Sequence, residues 1–210
     1  MISVRKEKIF GCILIFICTF FLAYPIYLRG MSAFDEGSLL HIAERITKGE
    51  VLYRDVATGI MPGVYYLQAI LFLVFGYSVE VGRYLQMVVL ATNATVLYLI
   101  SCRFMNRGGS FVVTMLFVAT NVFVYRYPNY SPLSILFILL GFLCFLYHLS
   151  QRKNTYILLS GFSLAISFLF KQNFGVLVSL PLIFLLMVKA VKSKSSKPLI
   201  LFLISFILPI

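Results

Sequence analysis

The sequence predicts an all-α, polytopic transmembrane helix bundle with amphipathic juxtamembrane helices in its first outer loop. Three observations carry this. Hydrophobic residues make up 61% of the 210 and charged residues only 12%, against about 25% charged in ordinary soluble domains. Apolar runs of span length recur along the chain, and the bilayer is the solvent that suits them. The only long polar stretch is 29–61. Disorder is excluded by the same composition.

The net charge of +11 would suggest nucleic acid in a soluble protein. No basic, aromatic-interleaved segment exists here, so nucleic acid is not an expected partner. Lys- and Arg-rich cytoplasmic loops account for the charge. The cysteines Cys12, Cys18, Cys102 and Cys144 fall in apolar runs with no CxxC pair. They read as buried small hydrophobes, not as a metal site.

Spans are expected at about 9–28, 84–102, 110–125, 132–149, 155–170, 174–188 and 198–210. The first run is long for a signal peptide and lacks a good cleavage site. The last is shorter than the roughly 17–25 residues of a span. The chain is therefore expected to end inside a span, as a truncated product or the N-terminal portion of a longer protein.

Between the first two spans, 29–83 forms an outer loop carrying two surface helices, 35–48 and 62–76. In the first, Leu39, Ile42, Ala43 and Ile46 follow helical spacing. Asp35 suits its start and Gly49 its end. In the second, Pro62 suits the first turn, but fifteen residues rise only about 22 Å, short of a roughly 30 Å core. Charge supports leaving it uncrossed. Arg5, Lys6, Lys8, Arg103, Arg107, Arg152, Lys153, Lys189, Lys192, Lys194 and Lys197 then all face the cytoplasm, 11 of the 18 basic residues. Crossing would move the last eight outside, against the positive-inside rule. The N-terminus is thus placed in the cytoplasm and the protein in the plasma (inner) membrane.

Asp35 and Glu36 follow the first span at the membrane–water interface. A carboxylate there can accept a proton from a hydroxyl or hold a divalent cation. Alternatively Asp35 only caps a helix and Glu36 favours its dipole. Asp55 is either a substrate contact or a turn residue paired with Arg54. Arg83, Arg126 and Lys171 adjoin apolar runs on the outer side, as phosphate contacts or as snorkelling cations. Tyr125, Tyr127 and Tyr130 suit an aromatic belt or sugar stacking. His41 and His148 have no metal-ligand partner at helical spacing.

The order of parts then carries a resemblance. One span leads to FDEG (34–37), an amphipathic helix, LYRD (52–55), PGVYYL (62–67), FGYS (75–78) and Arg83, with FLFKQNFG at 168–175. This resembles the N-terminal portion of GT-C-fold membrane glycosyltransferases. The family 39-type and Rgt-like proteins are nearest, related to protein O-mannosyltransferases and the aminoarabinose transferase of lipid A. The resemblance implies sugar transfer from a polyprenyl-phosphate donor to a cell-envelope acceptor on the extracytoplasmic face. It implies a catalytic role for Asp35, with Glu36 beside it, substrate contacts at Asp55 and Lys171, and a structural or phosphate-contact role for Arg83. Arg126 joins the substrate contacts only by its place beside an apolar run on the outer side. No cofactor is certain; a divalent cation, if present, falls to Asp35 and Glu36. Met61 stands where some relatives have Lys, and Asn129 where some have Asp. The alternatives are a non-enzymatic lipid-handling or transport protein, or an inactive remnant. The sugar, the acceptor and the oligomeric state are not legible.

Overall fold

The computed structural model describes residues 2–30, 33–125, 127–193 and 195–209. Among these the chain is helical, and the lone β feature is a bridge between Leu52 and Val56. The helices are α1 (Ile2–Tyr27), a π-helical turn (Ala33–Gly37), α2 (Ser38–Thr47), α3 (Gly63–Phe75), α4 (Val79–Ser101), α5 (Arg107–Val124), α6 (Tyr130–Gln151), α7 (Asn154–Phe170), α8 (Gln172–Ser193) and α9 (Lys197–Ile207). Five have segments long and apolar enough to cross a membrane: Ile9–Tyr27, Val79–Ser101, Arg107–Val124, Tyr130–Gln151 and Gln172–Lys192. The shorter apolar helices are α3, α7 and α9. At 13 residues, α3 rises about 20 Å, too little for a roughly 30 Å hydrocarbon core.

The chain divides into two units, 1–59 with 64–132 and 60–63 with 133–210. In the first, α4 packs against α1 and α5. Its span window is 61% buried, against 17% for α1, so α4 is the central helix of this unit. Ala23, Tyr27, Met87, Leu90 and Val122 form one core cluster, and Ile15, Ala94, Tyr98 and Val118 another. Gly11 lets α1 approach α4 closely, because a Cβ there would lie 3.0 Å from the Tyr98 hydroxyl. Two hydroxyls on α4 are satisfied locally: Thr92 donates to the Val88 carbonyl at 2.7 Å and Thr95 to the Ala91 carbonyl at 2.8 Å. Such i−4 bonding keeps short polar side chains tolerable in hydrocarbon.

In the second unit, Phe145, Ile157, Leu164, Leu182, Leu186 and Phe202 join α6, α7, α8 and α9 in one core. Gly161 sets the contact of α7 with α9, since an added Cβ would meet the Phe202 carbonyl oxygen at 2.6 Å. Small residues at such crossings let helix backbones close where no hydrophobic drive exists between them. His148 is buried at the end of α6, with Nδ1 3.0 Å from the Lys153 carbonyl oxygen.

Three sequence expectations change. Asp35 does not cap α2: the N-cap is Gly37, and Asp35 belongs to the π-turn that runs into the helix. The second span begins earlier than expected, at Val79, where the Ser78 hydroxyl accepts the Glu80 amide at 3.1 Å. This places Arg83 inside the helix. Cys18 is exposed on α1 and the other three cysteines are half-buried, so none is a core residue.

Candidate functional site

α4 carries polar side chains at 83, 86 and 93, spacings that fall on one helix face. All three are buried: Arg83 is 6% exposed, Gln86 1% and Asn93 1%. Each reaches out of its own helix to fix a loop. Gln86 donates to the Tyr125 carbonyl at 3.1 Å, and Asn93 donates to the Pro132 carbonyl at 3.0 Å. Between these anchors, the Asn129 side chain accepts the Ser131 amide at 2.8 Å. The YRYPNYSP segment is therefore tied to α4 at both ends.

Arg83 fixes the other loop. Its Nε donates to Glu36 Oε1 at 2.6 Å and its Nη2 to Glu36 Oε2 at 2.7 Å. The same Nη2 donates to the Gly30 carbonyl at 2.7 Å. This is the bidentate fork that guanidinium and carboxylate form when both are desolvated. Gly30 turns the chain after α1 at φ 74°, a region that favours glycine. The Arg83 guanidinium also lies over the Tyr127 ring, 5.8 Å from its centroid, within cation–π range.

Glu36 is fully buried, whereas its neighbour Asp35 is exposed. The π-turn thus sends adjacent carboxylates in different directions. Arg83 holds Glu36, and Asp35 is exposed beside Phe34, itself 90% exposed. Single π-turns are rare and cluster at functional sites. Sequence reading set Glu36 among the catalytic groups and Arg83 among the phosphate contacts. The structure engages the two with each other, across 47 positions of sequence.

This also bears on a divalent cation. Both Glu36 oxygens accept from Arg83, so Asp35 and Glu36 do not form a ligand pair. Among the described residues no group of three or more His, Cys, Asp and Glu side chains is arranged to hold a metal ion. With Glu36 committed to Arg83, the donor set does not fit one.

Asp55 lies in a separate turn. It accepts the Val51 amide at 2.8 Å and pairs with Arg54, whose Nη2 is 2.8 Å from Oδ2. Arg45 donates to the Asp55 carbonyl at 3.1 Å and to Glu50 at 2.7 Å. Within the turn Tyr53 has φ 69°. The Arg54 guanidinium first, and then the Val51 N–H, hold the Asp55 carboxyl at about 2, below its ordinary 3.8. A depressed folded-state value stabilises the turn above the unfolded value, and this is lost as pH falls through the folded one. The 51–56 turn is expected to open between about pH 4 and pH 2 while α4 stays intact. Hydrogen exchange at the Val51 amide, with Asp55→Ala as the neutral-pH mimic, measures it; unchanged protection in Asp55→Ala would refute the turn role.

Lys171 belongs to the second unit. It ends α7, and its Nζ lies 4.0 Å from the Phe174 ring centroid. Close by, Ser134 and Ser167 hydroxyls bond at 2.7 Å. Arg126 lies outside the described residues. Sequence reading missed Gln86 and Asn93, although their spacing from Arg83 was visible inside an otherwise apolar run.

Residues 59–210 match the family model of dolichyl-phosphate-mannose-protein mannosyltransferases. The chain belongs to this family. It is a multi-pass membrane glycosyltransferase of the mannosyltransferase type, and the GT-C resemblance read from the motif order agrees. The matched segment contains Arg83, Gln86 and Lys171 but begins after Asp35 and Glu36. The Arg83–Glu36 pair therefore fastens the carboxylate turn to the part of the chain that the family model describes. No curated protein and no solved structure matches the chain.

Proposed function

We propose that this mannosyltransferase-family chain transfers a sugar from a polyprenyl-phosphate donor to a hydroxyl of a cell-envelope acceptor. Transfer takes place on the extracytoplasmic face of the plasma membrane, with the N-terminus in the cytoplasm. The observation that carries the reading is the exposed Asp35 beside the buried Glu36–Arg83 pair. A solvent-facing carboxylate is thereby mounted on a backbone turn that cannot easily swing, which suits a general base.

In this reading Asp35 takes the proton of the acceptor hydroxyl as its oxygen bonds to the anomeric carbon. The bond from that carbon to the donor phosphate oxygen breaks, and polyprenyl phosphate leaves with the electron pair. Attack opposite the leaving group inverts the anomeric centre. The leaving phosphate is weakly basic, so charge stabilisation suffices without an acid. Glu36 and Arg83 act as positioning residues. Lys171, a cation at the end of an apolar helix, serves to attract the anionic lipid phosphate.

The test is transfer of labelled mannose from polyprenyl-phosphate mannose in membranes bearing the wild-type chain or Asp35→Asn. Loss of transfer in the variant is expected; wild-type transfer would remove Asp35 from the role. The orientation has its own check. A reporter fused after Arg107 is expected to be cytoplasmic by the charge distribution. A reporter found outside would mean that α3 crosses the membrane.

A further inference from the structure

One recessed surface in the first unit is not lined by Asp35, Glu36 or Arg83. It is a cleft of about 300 Å³ between α2, the end of α3 and the start of α4, at the lower end of ligand-pocket sizes. Leu40, His41 and Glu44 of α2 form one wall, and Phe72 and Tyr77 stand opposite. Leu40 and Phe72 are buried and make an apolar floor, whereas Tyr77 is 55% exposed. Tyr77 is nevertheless fixed. Its ring leans on Phe72 with centroids 5.3 Å apart, and its hydroxyl bonds to Thr47. Glu44 holds Lys48 at 2.7 Å, which keeps its carboxyl below the usual carboxylate range.

These groups narrow the ligand. A purely apolar molecule would strip water from Glu44 and His41 without replacing it. An anion would meet the Glu44 carboxylate, whose nearest cation is already committed to it. A ring with one apolar C–H face and several hydroxyls satisfies every wall. Its face lies on the exposed Tyr77 ring above the Leu40–Phe72 floor, one hydroxyl donates to Glu44 and another bonds the His41 imidazole. We propose that this cleft binds a neutral sugar ring, as a saccharide subsite apart from the reacting centre.

The test is saturation-transfer NMR on the full chain in glycolipid-free nanodiscs, because maltoside detergents would themselves compete. Methyl α-D-mannoside, methyl β-D-glucoside and N-acetylglucosamine are the probes. At least one is expected to show transfer to its ring C–H protons at millimolar concentration. Tyr77→Ala is expected to abolish the signal, and Glu44→Gln and His41→Ala to weaken binding about tenfold each. Glu44 and His41 are surface residues, so their variants report even where Tyr77→Ala does not fold. Asp35→Asn is expected to retain binding, which separates this subsite from the transfer reaction. No signal from any probe, or a signal unchanged in both Glu44→Gln and His41→Ala, overturns the proposal.

Discussion

Arg83→Ala is expected to destabilise the first unit by about 3–5 kcal/mol, the cost of leaving one buried partner of an ion pair uncompensated. Glu36 is 0% exposed and both its oxygens accept from Arg83. Without the guanidinium, the carboxylate must stay charged in a dry site, take up a proton, or pull the π-turn open towards water. The Gly30 carbonyl loses its donor at the same time, and the Tyr127 ring its cation. Arg83→Lys should restore little, since one ammonium cannot span both carboxylate oxygens and the carbonyl with fork geometry. The double variant Glu36→Leu with Arg83→Met is the discriminating one. It removes both charges, so it should melt much closer to the wild type than Arg83→Ala does. Transfer should nevertheless stay low, because the pair that holds the turn has gone. Melting followed by circular dichroism, with transfer assayed in parallel, measures both. A double variant as unstable as Arg83→Ala would show that the cost is not an uncompensated charge.

The sequence made the helices legible because their signal is local. Apolar runs of span length, the 39–42–43 stripe of α2 and the brevity of α3 are all read within a window of about twenty residues. Asp55 was also within reach, because Arg54 is its neighbour and a turn pair was one of the two readings open. Pairing across distance was not legible. Nothing in FDEG states that Glu36 and not Asp35 turns inward; that depends on where α4 presents Arg83, and on the π-turn register that local sequence does not specify. The polar face of α4 lay between these cases. Arg83, Gln86 and Asn93 share a face by spacing alone. Their partners are backbone carbonyls of the Tyr125–Pro132 segment, and carbonyls carry no sequence signature. Buried polar groups in a span need partners. Helical spacing among them therefore predicts a loop docked against that face, even where the loop itself is anonymous.

Asp35→Asn is expected to lower sugar transfer by about 10²–10⁴-fold, the usual contribution of a positioned general base, with the fold unchanged. The two expectations are separable because of where the side chain sits. Asp35 is exposed and not part of a core cluster, and surface substitutions usually shift stability by no more than about 0.5 kcal/mol. Asparagine keeps the shape and can still accept a hydrogen bond from the acceptor hydroxyl, but it cannot take the proton. A fall in kcat with little change in KM therefore reports proton transfer and not acceptor binding. Asp35→Ala removes the hydrogen bond as well and should raise KM in addition. Asp35→Glu keeps the base but moves it by one methylene; since geometry contributes strongly to such steps, partial activity between wild type and Asn is expected. The comparison with Arg83 completes the test. If Arg83 acts only by holding the turn, Arg83→Ala and the Glu36→Leu with Arg83→Met double variant should both lose transfer, although only the first loses much stability. The Asp35→Asn defect should persist at every temperature at which the protein is folded. A variant Asp35→Asn within twofold of wild type would leave the exposed carboxylate without a catalytic role, and would show that the turn serves only to anchor α2 to α4.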